Sequence, residues 1–298
     1  MKPLDVLIIG GGPAGLTAAL YLARFRRDVA VVDNRASRCA LIPQSHNYPG
    51  VPHGISGAEV LNDLREQVAL YKAQQVEGTI TKLERDGNDF IARINGNADI
   101  RARKVILATG IVDEKPNLPR MQEFIYKGAV RFCPICDGYE AMDQRIGVIG
   151  PIRTAIKKAL FLRTWSKQLT ILSLDQTTLT PEEDALLKDA GIDAPAPVKD
   201  LYIDGDRVAA DLTDGRTLNF DILYPAMGAQ TRSQLAVDLG ANHMESGCIC
   251  TNDYHESSIP GLYAIGDIST ELHQISVSYG HAAIAATHAH NQLPANNK

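Results

Sequence analysis

Gly10-Gly11-Gly12-Pro13-Ala14-Gly15 limits the fold of this chain more than any other stretch. A mostly apolar run at 4–9 (Leu-Asp-Val-Leu-Ile-Ile) precedes it, and an apolar helical pattern from Leu16 to about Phe25 follows. Val29 to Val32 then reads as a second buried strand, ending at Asp33. Strand, glycine turn, helix, strand and acid is the setting that gives GxGxxG physical meaning. Gly10 permits the tight turn, Gly12 lets the backbone approach a pyrophosphate, and Gly15 lets helix and strand pack closely. The helix N-terminus favours an anion, and Asp33 stands where a carboxylate accepts from ribose hydroxyls. The alternative is a glycine turn that serves packing alone.

The chain beyond this unit alternates between helical and strand periods. Residues 34–55 form a long polar loop containing Ser45-His46-Asn47-Tyr48-Pro49-Gly50, and so long an irregular stretch usually has a task. Asn47 offers a donor and an acceptor together. Residues 57–73 read as an amphipathic helix, and 76–103 as an antiparallel meander with turns at Asp86-Gly87-Asn88 and Asn95-Gly96-Asn97. Lys104 to Gly110 is a buried strand ending in Ala108-Thr109-Gly110, and Pro116 and Pro119 read as a linker. Arg145 to Gly150, a helix over about 152–165 and Leu169 to Leu174 make a second strand-turn-helix-strand unit, ending at Asp175. Hairpin strands with turns at Asp204-Gly205 and Asp214-Gly215 follow. Residues 222–228 read as the strand leading back to the first unit, and Gly261 to Asp267 as a strand stopping at Gly266-Asp267. A long helix over about Gln274–Asn291 closes the chain.

Cys133-Pro134-Ile135-Cys136-Asp137-Gly138 lies just inside the second unit. Two cysteines at this spacing can close and reopen a disulfide and so carry two electrons. Asp137 beside them can take or give the proton that exchange needs. A zinc half-site or a structural pair are the alternatives, and zinc would want two further ligands. Cys248-Ile249-Cys250 is the other close pair; a CxC can form a strained, reducible disulfide, but here it reads as a short strand with its cysteines packed at alternate positions.

At 298 residues the chain has room for one large or two ordinary domains. A net charge of -5 without a basic tract argues against nucleic acid or an anionic membrane as partner. No apolar run approaches membrane-spanning length. The first strand pattern begins at Leu4, leaving no room for a signal peptide, and five cysteines do not suggest a secreted disulfide scaffold. The expected compartment is the cytoplasm.

Taken together, GGGPAG at Gly10–Gly15, ATG at Ala108–Gly110, CPICDGYE at Cys133–Glu140 and AIGD at Ala264–Asp267 resemble the low-molecular-weight thioredoxin reductases, in order and over nearly the whole chain. The resemblance implies an α/β fold of two Rossmann-like three-layer nucleotide-binding domains, the second inserted into the first. Residues 1–112 and 224–298 would form a discontinuous FAD-binding domain, and 113–223 a nicotinamide-domain-like unit carrying the CxxC. It implies one tight FAD per subunit, held by Gly10, Gly12, Pro13, Ala14, Gly15, Asp33, Asn47, Thr109, Gly110, Gly266, Asp267, His273, Gln274 and Ile275, with Asn47 at the flavin edge and Asp267 at the ribitol. His273, Gln274 and Ile275 would present the start of the last helix to the flavin. It further implies Cys136 as the sulfur that exchanges electrons with the flavin, Cys133 as the one that attacks substrate, Asp137 as acid and base, no metal, and a homodimer.

The second fingerprint departs from that family. Gly150-Pro151-Ile152-Arg153-Thr154-Ala155 stands where GxGxxA is expected, so Ile152 replaces a glycine in the path of a pyrophosphate and Pro151 removes a donor. Asp175, rather than an arginine cluster, follows the next strand and would repel a 2′-phosphate. NADPH is therefore an unexpected donor, and ferredoxin or a second flavin are the expected replacements. Lys157, Lys158, Arg163 and Lys167 form one candidate basic patch for an acidic donor, or simply a solvated helix face. The substrate would be a thioredoxin-like protein disulfide. Alternatives are oxidation of a small dithiol with oxygen as acceptor, an ordinary NAD(P)H thioredoxin reductase, and a flavin-binding sensor without turnover.

Overall fold

A computed structural model describes residues 2–96, 98–175 and 177–296. Strand β1 (Leu4–Ile9) is buried from Asp5 onward and leads through the glycine turn into α1 (Pro13–Arg24) and back to β2 (Val29–Asp33). Gly10 has φ +108°, and a Cβ there would lie 2.3 Å from the Ala108 carbonyl oxygen, so the turn accepts no larger residue. Helix α2 (Gly57–Leu70) starts at a capping box: Ser56 Oγ accepts from the Glu59 amide, and the Glu59 carboxylate accepts from the Ser56 amide. Its C-terminal end leads into β3 (Gln74–Glu77), a parallel edge strand beside β2.

Strands β4 (Ile80–Asp86), β5 (Asp89–Ile94) and β6 (Ile100–Leu107) follow. The last strand of the expected meander and the expected buried strand at 104–110 are one strand. Its first residues pair antiparallel with β5, while Leu4 to Ile9 runs parallel along its other edge. The expected turn residue Asn97 lies outside the described residues.

Two short strands, β7 (Ile111–Asp113) and the later β14 (Ala229–Thr231), pair antiparallel where the chain leaves and re-enters the first unit. Between them α3 (Met121–Tyr126) and α4 (Pro134–Asp137) precede β8 (Ile146–Gly150), α5 (Ile152–Leu162) and β9 (Leu169–Ser173). Helix α6 (Pro181–Ala190) has its own capping box, Thr180 with Glu183. This helix is absent from the sequence reading, although Thr180-Pro181-Glu182-Glu183 is a start signal. Strands β10 (Val198–Asp204), β11 (Arg207–Leu212) and β12 (Thr217–Phe220) form a small antiparallel sheet. Strand β13 (Ile222–Pro225) then pairs parallel with β8. It runs across the expected cut between 223 and 224: Tyr224 and Pro225 stand opposite Val148 and Ile149 of β8.

The short α7 (Gln234–Val237) is followed by a loop carrying Cys248 and Cys250. The expected strand there is not formed: Ile249 and Thr251 make isolated bridges, because the Ile249 amide donates to the Ile268 carbonyl instead of to a neighbouring strand. Strand β15 (Leu262–Ala264) returns to the first sheet beside β6, and α8 (Ile275–Asn291) packs on α1. Among the described residues the first sheet has seven strands, β4 and β5 included; one face packs against α1, α2 and α8, and the other forms a core in which Ile80, Leu83 and Phe90 of β4 and β5 meet Ala236 of α7 and Ile249. The second unit has two cores, one under α5 and α6 and one between α3 and the small sheet. Among the described residues no helix is long and apolar enough to cross a membrane.

Candidate active site

A cavity of about 460 Å³ runs from the glycine turn to the inserted unit. The N-terminus of α1, Asp33, the 34–47 loop, Ala108 to Gly110, Gly266, Asp267 and the start of α8 line it, and Cys133, Cys136 and Asp137 close it from the other side. Every residue expected to hold the cofactor lines this cavity except Gly15, which is buried in α1 behind it.

Two helices begin at the cavity wall. Neither Gly12 before α1 nor Gln274 before α8 caps its helix with a side chain, and neither first turn carries an acid. Both ends therefore offer amide donors and a positive dipole end. Asp33 is held by Arg65 at 3.6 Å and accepts from the Arg35 amide at 3.1 Å. Arg38 is clamped by Asp113 at 2.6 and 2.9 Å and lies 3.8 Å from Asp267. Burial raises the Asp267 carboxyl above its usual range, opposed by His273 and Arg38. Arg38 and Asp113 were not among the expected residues, since their pairing spans 75 positions. This donor set fits the dinucleotide of FAD: one bare helix end with a glycine turn at the pyrophosphate, a carboxylate at each ribose-like end, and a second bare helix end for the ring.

The sulfur end is built locally. Cys133 precedes α4, and Pro134 opens it with a φ already helical. Gly138 then lets Trp165 close in, because a Cβ there would lie 2.7 Å from the indole ring. Cys133 and Cys136 are joined in a disulfide, and the Cys136 amide donates to Cys133 Sγ at 3.2 Å. Gln274 Nε2 lies 3.4 Å from Cys133 Sγ and 3.5 Å from Cys136 Sγ. Asn47 does not stand free at the cavity edge. Its amide donates to Gln274 Oε1 at 2.9 Å and to the Ile135 carbonyl at 3.3 Å, so it bridges the start of α8 to the disulfide loop.

Asp137 is pushed up to about 6 by burial, against the pull of a Tyr224 hydrogen bond and of Arg131 and Lys158. Tyr224 Oη donates to Asp137 Oδ1 at 2.6 Å. Arg131 donates to the Asp137 backbone carbonyl at 2.9 Å. Lys158 belongs to no surface patch: its Nζ donates to the Phe132 carbonyl at 3.2 Å, and burial lowers it to about 8. The expected basic patch is thereby weakened, because Lys158 is turned onto backbone carbonyls and Arg163 donates to the Ala190 carbonyl at 2.7 Å. The sequence singled out neither Tyr224 nor Arg131, and it placed Lys158 in a surface patch instead of beside Asp137. Their spacing from Asp137 carries no local signal.

The second nucleotide fingerprint is arranged differently from the expectation. Ile152 does not stand in the way of a phosphate. Its side chain is 4% exposed and packs with Ala155 and Ile156 in the core under α5. The Asp175 carboxylate, from the end of β9, accepts from the Ile152 amide at 3.3 Å and so occupies the start of α5. Arg153 is paired with Glu183 at 3.4 Å. Burial acts against ionised Asp175, but hydrogen bonds from Thr177, Ile152 and Ser173 hold its carboxyl below the usual range.

The remaining cysteines are unpaired. Cys39 is buried, and burial pushes its thiol up to about 12, which makes it a poor nucleophile. Cys248 is buried as well, and burial raises it too.

Residues 4–289 match the family described as pyridine nucleotide-disulphide oxidoreductase. A thioredoxin reductase of Peptoclostridium acidaminophilum is 29% identical over 317 aligned positions, covering 98% of both chains. The crystal structure of HlmI superposes with a TM-score of 0.91 at 30% identity, covering 97% of this chain and 92% of that one. A thioredoxin reductase from Streptococcus pyogenes superposes with a TM-score of 0.87 at 28% identity, covering 97% of each chain. The glycine turn, the disulfide facing its cavity and this match along the whole chain lead to one conclusion: the chain belongs to the pyridine nucleotide-disulphide oxidoreductases, is similar to their thioredoxin reductases, and is an oxidoreductase acting on disulfides.

Proposed function

We propose that this protein is an FAD-dependent thiol–disulfide oxidoreductase whose electron donor is not NADPH. The observation that carries the donor reading is the Asp175 carboxylate on the Ile152 amide, with Arg153 engaged by Glu183. A pyrophosphate at the start of α5 would have to displace the Asp175 carboxylate and sit beside the Arg153–Glu183 pair. Ferredoxin or a second flavin is the donor class left to such a chain.

Bound FAD would supply two-electron redox chemistry next to the disulfide. The protein's part is to hold and protonate sulfur. Opening the Cys133–Cys136 bond takes up two electrons and two protons and leaves two thiols. Cys136 exchanges electrons on the cavity side, and Cys133 attacks the disulfide of a thioredoxin-like protein, forming a mixed disulfide that Cys136 then resolves. Asp137 gives a proton to the departing thiolate and takes one from the arriving thiol. The Gln274 amide, within reach of both sulfurs, steadies a thiolate as it forms.

The test is anaerobic reduction of the yellow protein by NADPH, then NADH, then dithionite, followed at the visible flavin band. Bleaching by dithionite alone is the expected result. Rapid bleaching by NADPH would replace this reading with an ordinary thioredoxin reductase, the reading favoured by the 98% coverage of a relative of that name.

A further inference from the structure

We infer that Tyr224 is a positioning residue for Asp137: its hydroxyl holds Oδ1, so that Oδ2 is the oxygen that exchanges a proton with the cysteine sulfurs. The inference rests on the acid–base role of Asp137 proposed above. Tyr224 is fully buried in β13, where its backbone is paired to Val148 of β8. A phenol carries its hydroxyl on a rigid ring, so a ring fixed in a core fixes the donor too. Asp137 comes from α4, 87 positions away.

Each polar atom of Asp137 but one is occupied. Its amide donates to the Cys133 carbonyl at 3.3 Å, and its carbonyl accepts from Arg131 at 2.9 Å. Oδ1 accepts from Tyr224 at 2.6 Å, while Oδ2 has no hydrogen-bond partner among the described residues. Asp137 also lines the cavity with both cysteines. Without the hydroxyl, either oxygen could carry the proton.

The charged groups around Asp137 are Arg131 before α4, Glu140 after it and Lys158 from α5. Tyr224 itself stays protonated, since burial and the neighbouring Asp137 both raise it. It is therefore a permanent donor, and a permanent donor stabilises the carboxylate over the acid. Removing it raises the Asp137 pKa further, and fewer molecules hold the base form at a given pH.

The FAD-loaded wild type, Tyr224→Phe, Asp137→Asn and the double variant would be reduced anaerobically with dithiothreitol across about pH 5 to 9, with flavin bleaching as the signal. The quantity read is the ratio of variant to wild-type rate, which cancels the ionisation of dithiothreitol. For Tyr224→Phe the ratio should approach one at high pH and fall about tenfold towards low pH, as the limb moves up by ~1 unit. In the Asp137→Asn background the same change should add nothing that depends on pH. A ratio flat in pH, or an equal effect on both backgrounds, overturns the inference. A normal rate in Asp137→Asn overturns the acid–base role of Asp137 instead. Should Tyr224→Phe lose its flavin, the wild type carries the test through the infrared band of its protonated Asp137, assigned by its loss in Asp137→Asn. A hydrogen-bonded C=O stretch supports the inference, and a free acid stretch overturns it.

Discussion

Cys136 and Asp137 are adjacent, yet the structure gives them different kinds of dependence. The sulfur needs its partner three positions back, and the carboxyl needs a tyrosine from another strand. Cys136→Ser should keep the yellow colour and lose electron exchange between flavin and any disulfide, measured as absent flavin reoxidation by a protein disulfide. Asp137 should also weigh on stability. Its folded pKa lies above the ordinary value of about 3.9, so between about pH 4 and 6 the native state binds more protons than the unfolded chain. Stability therefore falls as pH rises through that window, and the penalty is complete above it. Asp137→Asn is expected to be more stable than wild type at pH 8 by on the order of 3 kcal/mol, and to match it near pH 4, read by thermal unfolding at both pH values. The cysteines, Asp137 and the first glycines were legible in sequence because each sits in a short motif. Tyr224 and Arg38 were not, since each acts through contacts that exist only after distant segments come together.

Helix α5 shows the same limit one level up. The second fingerprint departs from GxGxxA in sequence, and under the proposed function the side chain that matters there is not the substituted residue itself. Ile152 turns into the core, and the carboxylate of Asp175 closes the helix end. A strand, a helix and the next strand were visible in the pattern; which side chain would reach back to the first amides was not. Asp175→Ala should cost ~1 kcal/mol by leaving the Ile152 amide without its partner, measured by urea unfolding. The same variant, titrated with NADPH under anaerobic conditions, should still fail to bleach, because Glu183 continues to hold Arg153. Strand β6 was likewise read twice, as the end of a meander and as a buried parallel strand. Both readings describe one long strand with different neighbours along its length.

Across the whole molecule the first unit is assembled from both ends of the chain. Strand β15 pairs Leu262 with Val105, and α8 lies against α1. A chain ending before Leu262 would leave one edge of β6 open and remove Gly266, Asp267 and the start of α8 from the cavity. Such a chain is expected to purify colourless, while its protease-resistant core maps to the inserted unit. The double nature of the fold was legible because two strand-turn-helix-strand units recur in one chain. The pairing of β7 with β14 was not, since neither strand exceeds three residues.

That interleaving also sets an order of events during synthesis. The inserted unit is continuous in the chain and can close as soon as β13 leaves the ribosome. The first unit has to wait for β15 and α8, with its opening strands already made and the side of α1 that meets α8 still uncovered. The disulfide loop is thus mounted on a finished platform before the cavity it closes is complete.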